Sequence, residues 1–206
     1  MRLSGEGDSN EALAHLPEVV PVMLLGGVTL FPKMLLPLYI FEMRYRAMLE
    51  RALETDRFLI MAQPKGQEDD EVCPVAGVGL IRACVRSADG TSNLVLEGVG
   101  RVKLTGWQQL SPFRMAMAEP FGWKEPETTI ERKIRLKQLQ DYLRDKGGDF
   151  DEHFSGNISQ IDDPDVLVDV IASILLADSS ERQVVLGEGS NVKRQSVLMD
   201  FLSEGI

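Results

Sequence analysis

Cysteine and histidine are scarce in this sequence, with two of each among 206 residues. Cys73 and Cys84 are too few for a disulfide framework and lack the CxxC spacing of a zinc site. Cys84 falls in an alternating stretch and reads as a small apolar packing residue rather than a reactive thiol. His15 and His153 fall in the expected tail and an expected loop, without the spacing of a metal ligand or a general base. Apolar runs of about 18 residues, which a membrane helix needs, are missing. The start, MRLSGEGDSNEALAHLPE, is acidic and polar where a secretory signal is basic and then apolar. The expected location is cytoplasmic, with no membrane contact. Basic residues are also in deficit, 22 Lys and Arg against 32 Asp and Glu. The formal charge of -10 repels phosphate backbones, and no basic stripe interleaved with aromatics offsets it, so nucleic acid is a disfavoured partner.

Catalytic motifs are missing as well. No GxSxG, HExxH or Ser-Lys context occurs. GEGSNVKRQS (187 to 196) has glycines and a lysine ahead of a helix but not the GxxxxGK[ST] order that cradles phosphate. The acidic run Glu68 to Glu71 lacks the spaced oxygen ligands and glycine of a calcium loop and reads as a solvated loop. The expectation is therefore no catalytic residue, no metal and no cofactor.

What is present is a hydrophobic content of 44%, enough for a true core in one large domain or two small ones. Residues 1–17 show no periodicity and read as a flexible tail, with order beginning near Val19. A β-rich part follows over 18–122. Pro21 and Pro37 each lack a backbone donor, which restricts VVPVMLL (19 to 25) and LLPLYI (35 to 40) to sheet edges or a barrel seam. RFLIMAQ (57 to 63) reads as a buried strand. VAGVGLIRACVRS (75 to 87), a turn holding Asp89 and Gly90, and NLVLEGV (93 to 99) form a hairpin. In its first strand Ile81, Ala83 and Val85 should point one way and Arg82, Cys84 and Arg86 the other. GRVKLTGW (100 to 107) and FRMAMAE (113 to 119) supply two more strands, and the many glycines suit a strongly curved sheet. The pattern predicts a small closed or nearly closed barrel.

One helix is inserted in that part. From Phe41, the apolar residues Phe41, Tyr45, Met48, Leu49, Ala52 and Leu53 recur at helical spacing, leaving a charged opposite face. Burying such a stripe contributes about 1.5 to 3 kcal/mol for each large side chain, far more than an exposed Glu-Arg pair. After residue 122 the pattern becomes helical through to 206. Helices are expected over 126–146, from Pro164 behind an Asp163 cap, from a Ser179 or Ser180 cap to Gly187, and from an Asn191 cap through Leu202. In the second, Val166, Leu167, Val170, Ile171, Ile174 and Leu175 form the buried stripe. The fold class is α+β: a pseudo-barrel of mostly antiparallel strands with one inserted helix, then a helical bundle.

Several segments, taken in order, resemble the N-terminal, substrate-binding domain of Lon proteases. They are the proline rhythm from Pro21 to Leu30-Phe31-Pro32, the Phe41-Glu42-x-Arg44-Tyr45-Arg46 segment, Gly98 with Arg101, and DPDVLVDVIASILLADSSERQVVLGEGSNVKRQSVLMDFL (163 to 202). The resemblance covers nearly everything after residue 18 and implies a PUA-like barrel followed by helices. It also implies a role in recognising and holding protein substrates. Lon proteases continue into an ATPase and a Ser-Lys protease module, whereas this chain ends at Ile206, so neither activity is expected. The implied partners are unfolded or partly folded polypeptides, or a protease or other assembly that the chain serves as a scaffold subunit.

The apolar stretch 28–53 holds the candidate protein-binding residues: Leu30, Phe31, Met34, Leu35, Met43 and Arg44. Most apolar residues here should be core, but the methionines Met23, Met34, Met43 and Met48 suit a surface that accepts many sequences. An RNA reading would need Arg82, Arg86, Arg101 and Lys103 to share one face. The two-sided helix 126–146 leaves a homodimer open.

Overall fold

The structure is a computed structural model that describes residues 12–66, 71–146, 158 and 160–204. Six strands form one sheet: β1 (Val19–Leu24), β2 (Leu35–Ile40), β3 (Phe58–Ala62), β4 (Val75–Arg86), β5 (Ser92–Gln109) and β6 (Arg114–Pro120). Helix α1 (Met43–Glu54) lies between β2 and β3. Helices α2 (Thr129–Lys146), α3 (Pro164–Leu175), α4 (Ser179–Gly187) and α5 (Asn191–Glu204) follow the strands.

The strand order is β2-β5-β4-β3-β1-β6, and a further β5–β6 pairing closes five of the strands into a ring. All pairings are antiparallel except β1 with β3. The α+β class and the expected closure are thus observed. The two strands expected at 93–99 and 100–107 are one continuous strand, β5, of 18 residues. Opposite β4, its edge pairs first with β2 (Leu35↔Glu97 to Ile40↔Ser92) and then with β6 (Val102↔Pro120 onward). A single long strand serves both neighbours because Gly98 and Gly100 let it bend without breaking.

Pro37 does lie in an edge strand, since among the described residues β2 pairs with β5 alone. Pro21 does not, because β1 sits between β3 and β6. It is tolerated because the β3 ladder starts only at Val22, so the missing amide costs no bond on that side.

Alternation places Val20, Val22, Leu24, Phe58, Ile60, Val78 and Val102 in one apolar cluster of the ring. Met23, Leu59, Met61, Leu94 and Leu96 face a second cluster formed with α1. Ala12, Leu13 and Leu16 pack against the first, so order begins ahead of Val19. Those three side chains supply apolar area that the unperiodic sequence did not advertise.

On β4, Ile81 is buried, whereas Ala83 and Val85, expected on its face, are exposed; Cys84 packs toward α1, in the packing role expected of it. A register shift between Ile81 and Ala83 inserts one extra residue and swaps the faces that follow. Helix α1 begins at Met43 rather than Phe41; Tyr45, Met48, Leu49 and Ala52 are buried as expected, while Phe41 stays outside the helix and exposed. The turn before β5 matches expectation: Gly90 has φ 83°, and the Asp89 carboxylate accepts from the Thr91 amide at 2.9 Å.

The helical half packs around Leu139, Leu167, Val168, Ile171, Val185 and Leu198. Helix α2 starts with a reciprocal cap: the Glu131 amide donates to Thr128 Oγ1, and the Thr128 amide donates to the Glu131 carboxylate at 2.6 Å. Asp163 caps α3 as expected, accepting from the Asp165 amide at 2.8 Å. The cap of α4 is Asp178 rather than a serine, and the Ser190 hydroxyl accepts from Lys193 at the start of α5. Carboxylate and hydroxyl oxygens satisfy the same orphan amides, so the segment alone does not choose between neighbouring candidates. Helix α3 is buried nearly all round, including Asp169, whereas Ile174 of the expected stripe is exposed.

Candidate functional site

The segment between β1 and β2 splits the candidate residues. Leu30 enters the cluster beneath α1, and Phe31 enters the core of the helical half; both are buried. Their backbone passes so near the sheet that a Cβ on Gly77 or Gly98 would lie 2.0 Å from the carbonyl oxygen of Leu30 or Phe31, respectively. Met34 is half-buried, and its sulfur accepts from the Ser173 hydroxyl at 3.3 Å. Neither Leu30 nor Phe31 has surface to offer a partner, which corrects their place among the binding residues; aromatic and leucine side chains beside a glycine-lined crossing are packing residues.

Leu35, Met43 and Arg44 are exposed. They belong to a row that the candidate set sampled only in part. Leu35, Pro37 and Tyr39, alternate residues on β2, all point outward, followed by Phe41 and Met43. Tyr39 is 55%, Phe41 58% and Met43 76% accessible. The Tyr39 and Phe41 rings stack with centroids 5.9 Å apart. Arg44 ends the row, over the Tyr45 ring at 4.5 Å and paired with Glu42 at 2.9 Å. Val85 extends the apolar face sideways, because Asn93 pairs with both Tyr39 and Val85. The missed members, Tyr39 and Phe41, carried a signal in the alternation of LLPLYIF, which reads equally well as core or surface without knowing that β2 is an edge.

The four basic residues an RNA face would need are divided. Arg82 pairs with Glu97, Arg86 pairs with Glu50 at 3.0 Å, and Arg101 is buried against Asp169. Lys103 is exposed. On α2, Ile130 and Ile134 are exposed one turn apart.

Between the ring and the helices lies a cleft of about 550 Å³. Linker residues 121–125 cross from one half to the other: the Trp123 amide donates to the Gly189 carbonyl at 2.9 Å, and the Asn191 amide to the Trp123 carbonyl at 3.3 Å. Arg101 fastens β5 to the helices, donating through Nε to the Leu186 carbonyl at 3.1 Å and through Nη2 to Asp169. Arg135 of α2 donates to Glu127 and Asp165, each at 2.7 Å, and to the Asn191 carbonyl at 3.0 Å. Burial alone would raise the Asp165 carboxyl, but the hydrogen bond and charge of Arg135, then Arg132 and Asn191, hold it below its ordinary range. Burial, and then the like charge of Arg101, push the Arg194 guanidinium down to about 10.

Among the described residues no group of three or more His, Cys, Asp or Glu side chains can hold a metal, and no helix is long and apolar enough to cross a membrane. His153, most of the acidic run from Glu68, and residues 1–11 lie outside the described residues.

A closed ring with an outlying edge strand, one inserted helix and a following set of helices is the fold of Lon N-terminal domains. Among solved structures, the N-terminal domain of a Mycobacterium avium complex Lon protease superposes with a TM-score of 0.72 at 18% identity, covering 91% of this chain and all of that one. A Lon N-terminal domain protein from Xanthomonas campestris superposes with a TM-score of 0.65 at 17% identity, covering 88% and 97%. The family described as the ATP-dependent protease La (LON) substrate-binding domain matches residues 19–204, and the chain belongs to that family. The Lon protease of Trichlorobacter lovleyi is 26% identical over 199 residues, covering 92% of this chain and 24% of the relative. That of Endomicrobium trichonymphae is 24% identical over 216 residues, covering 97% and 26%. The chain thus spans about a quarter of the length of these relatives.

Proposed function

We propose that the chain is a recognition module that binds extended or partly unfolded polypeptide on the row Leu35, Pro37, Tyr39, Phe41 and Met43, with Arg44 at its end, and has no ATPase or protease activity of its own. The exposure of that row on an edge strand carries the reading. Alternate side chains of an extended segment present a line of apolar contacts about 7 Å apart, which suits an extended ligand. Stacked aromatics and a flexible thioether tolerate many sequences, as a substrate-binding family requires. Pro37 removes an amide from β2, so side-chain contact rather than strand addition supplies the affinity. The pairing of Arg82 and Arg86 with carboxylates weighs against RNA as the alternative ligand.

The test is fluorescence anisotropy with a labelled, permanently unfolded polypeptide, comparing the natural chain with Tyr39→Ser/Phe41→Ser/Met43→Ser. Weakening of about tenfold or more at unchanged melting temperature is expected. Equal affinity would place binding elsewhere, and no binding by the natural chain, with one stoichiometric partner recovered from lysate, would make the chain a scaffold subunit.

A further inference from the structure

The cleft between the ring and the helices has an uneven charge balance. Its lining carries three carboxylates, Asp163, Asp165 and Asp169. Each has an arginine close by: Arg132 for Asp163 at 2.8 Å, Arg135 for Asp165 at 2.7 Å, and Arg101 for Asp169. Arg194 also lines the cleft, yet among the described residues its nearest ion pair is 3.9 Å long, from Nη1 to an Asp169 already held by Arg101. Both Arg101 and Arg194 are 6% accessible.

Each guanidinium spends only part of its donor set on the protein. Arg101 uses Nε and Nη2, and Arg194 uses Nε toward the Glu188 carbonyl and Nη2 toward the Gly189 carbonyl. Among the described residues neither Nη1 has a hydrogen-bond acceptor, and neither is sealed from solvent; the open space both arginines border is the cleft. A planar guanidinium with free N–H groups is suited to a carboxylate or phosphate. The mouth adds an apolar wall, where Phe121 and Trp123 meet edge to face with centroids 6.3 Å apart.

We propose that this cleft binds a small organic anion, its carboxylate or phosphate on the Nη1 groups of Arg101 and Arg194 and its flat apolar body against Phe121 and Trp123. The ligand adds counter-charge to Arg194, which shares the Asp169 carboxylate with Arg101. Burial, and then the like charge of Arg101, disfavour the charged form of Arg194, and an anion beside it opposes both. This site is separate from the β2 row, and either can fail without the other.

The test is an NMR titration of the natural chain with phenyl phosphate, benzoate, inorganic phosphate and benzyl alcohol, following the two tryptophan indole signals. Phenyl phosphate and benzoate should shift Trp123 saturably and leave Trp107 unmoved, with inorganic phosphate weaker and benzyl alcohol without effect. Arg194→Met should weaken binding by about tenfold or more. If that variant does not fold, Lys124→Glu reads the same site from an exposed rim position and should weaken the anions severalfold, more strongly at low salt. Shifts of both tryptophans alike, benzyl alcohol binding as tightly as the anions, no saturable shift with any probe, or affinity unchanged by Lys124→Glu would each overturn the proposal.

Discussion

A side chain on Gly98 has no room beside Phe31: its Cβ would stand 2.0 Å from the Phe31 carbonyl oxygen, and the Lys33 amide donates to the Gly98 carbonyl at 2.7 Å. The chain crosses the sheet at this point, so the obstacle is backbone rather than a side chain that can rotate away. Gly98→Ala should therefore destabilise the protein by roughly 2 to 3 kcal/mol, in the upper part of the overpacking range. Gly27→Ala, at φ 81° with nothing within 4 Å, is the comparison, expected at about 1 to 2 kcal/mol from backbone strain alone. Urea midpoints rank the two, and the crossing is misplaced if Gly98→Ala is the milder.

Among the described residues Asp169 is the carboxylate paired with Arg101, and it is almost wholly buried with it. Removing one partner of such a pair strands the other's charge, so Asp169→Asn should cost about 3 to 5 kcal/mol. Arg101→Met/Asp169→Leu should recover part of that, limited by the Leu186 carbonyl, which loses its donor, and by Arg194, which loses the same carboxylate. A double-mutant cycle by chemical denaturation measures the coupling; additive effects would mean the pair does not act as a unit.

Asp165 gives the helical half an acid-sensitive joint. Its carboxyl is lowered from 3.8, so the unfolded chain takes up the proton more readily than the folded one. The stability it contributes is fully present above its ordinary value and drains away as pH falls below that toward the folded value. Asp165→Asn should lower stability at neutral pH and flatten the acid limb as pH falls through and below about 4. An acid limb as steep as that of the natural chain would assign the loss to other carboxylates.

Phe31 and Met43, both in the stretch that first suggested a binding surface, should separate cleanly. Phe31→Ala empties a fully buried site and should cost about 3 to 5 kcal/mol. Met43→Ser changes an exposed side chain and should stay within about 0.5 kcal/mol while weakening polypeptide binding. Thermal melts and anisotropy on the same two proteins check this; a stable Phe31→Ala would remove Phe31 from the core.

Much of this fold was readable where a local rule acts alone. Tyr45, Met48, Leu49 and Ala52 repeat at helical spacing and are buried in α1; Asp163 before Pro164 caps α3; Asp89-Gly90 turns the β4–β5 hairpin. Which of the candidate residues are exposed was only half readable. Met43 and Arg44 are exposed, but Leu30 and Phe31 are not, because apolar character is the same signal for a core residue and for a docking residue.

Composition and periodicity by themselves determined the α+β class, the inserted helix and the lack of recognisable catalytic or metal-binding motifs, since each depends on residues close in sequence. Tertiary structure decided the rest. One extra residue between Ile81 and Ala83 reversed which side chains of β4 face water, the ring's closure made β1 interior and β2 an edge, and Asp169 met Arg101 across 68 residues of chain. These outcomes depend on which strand lies beside which and in what register, and a strand carries the same period of two in either place.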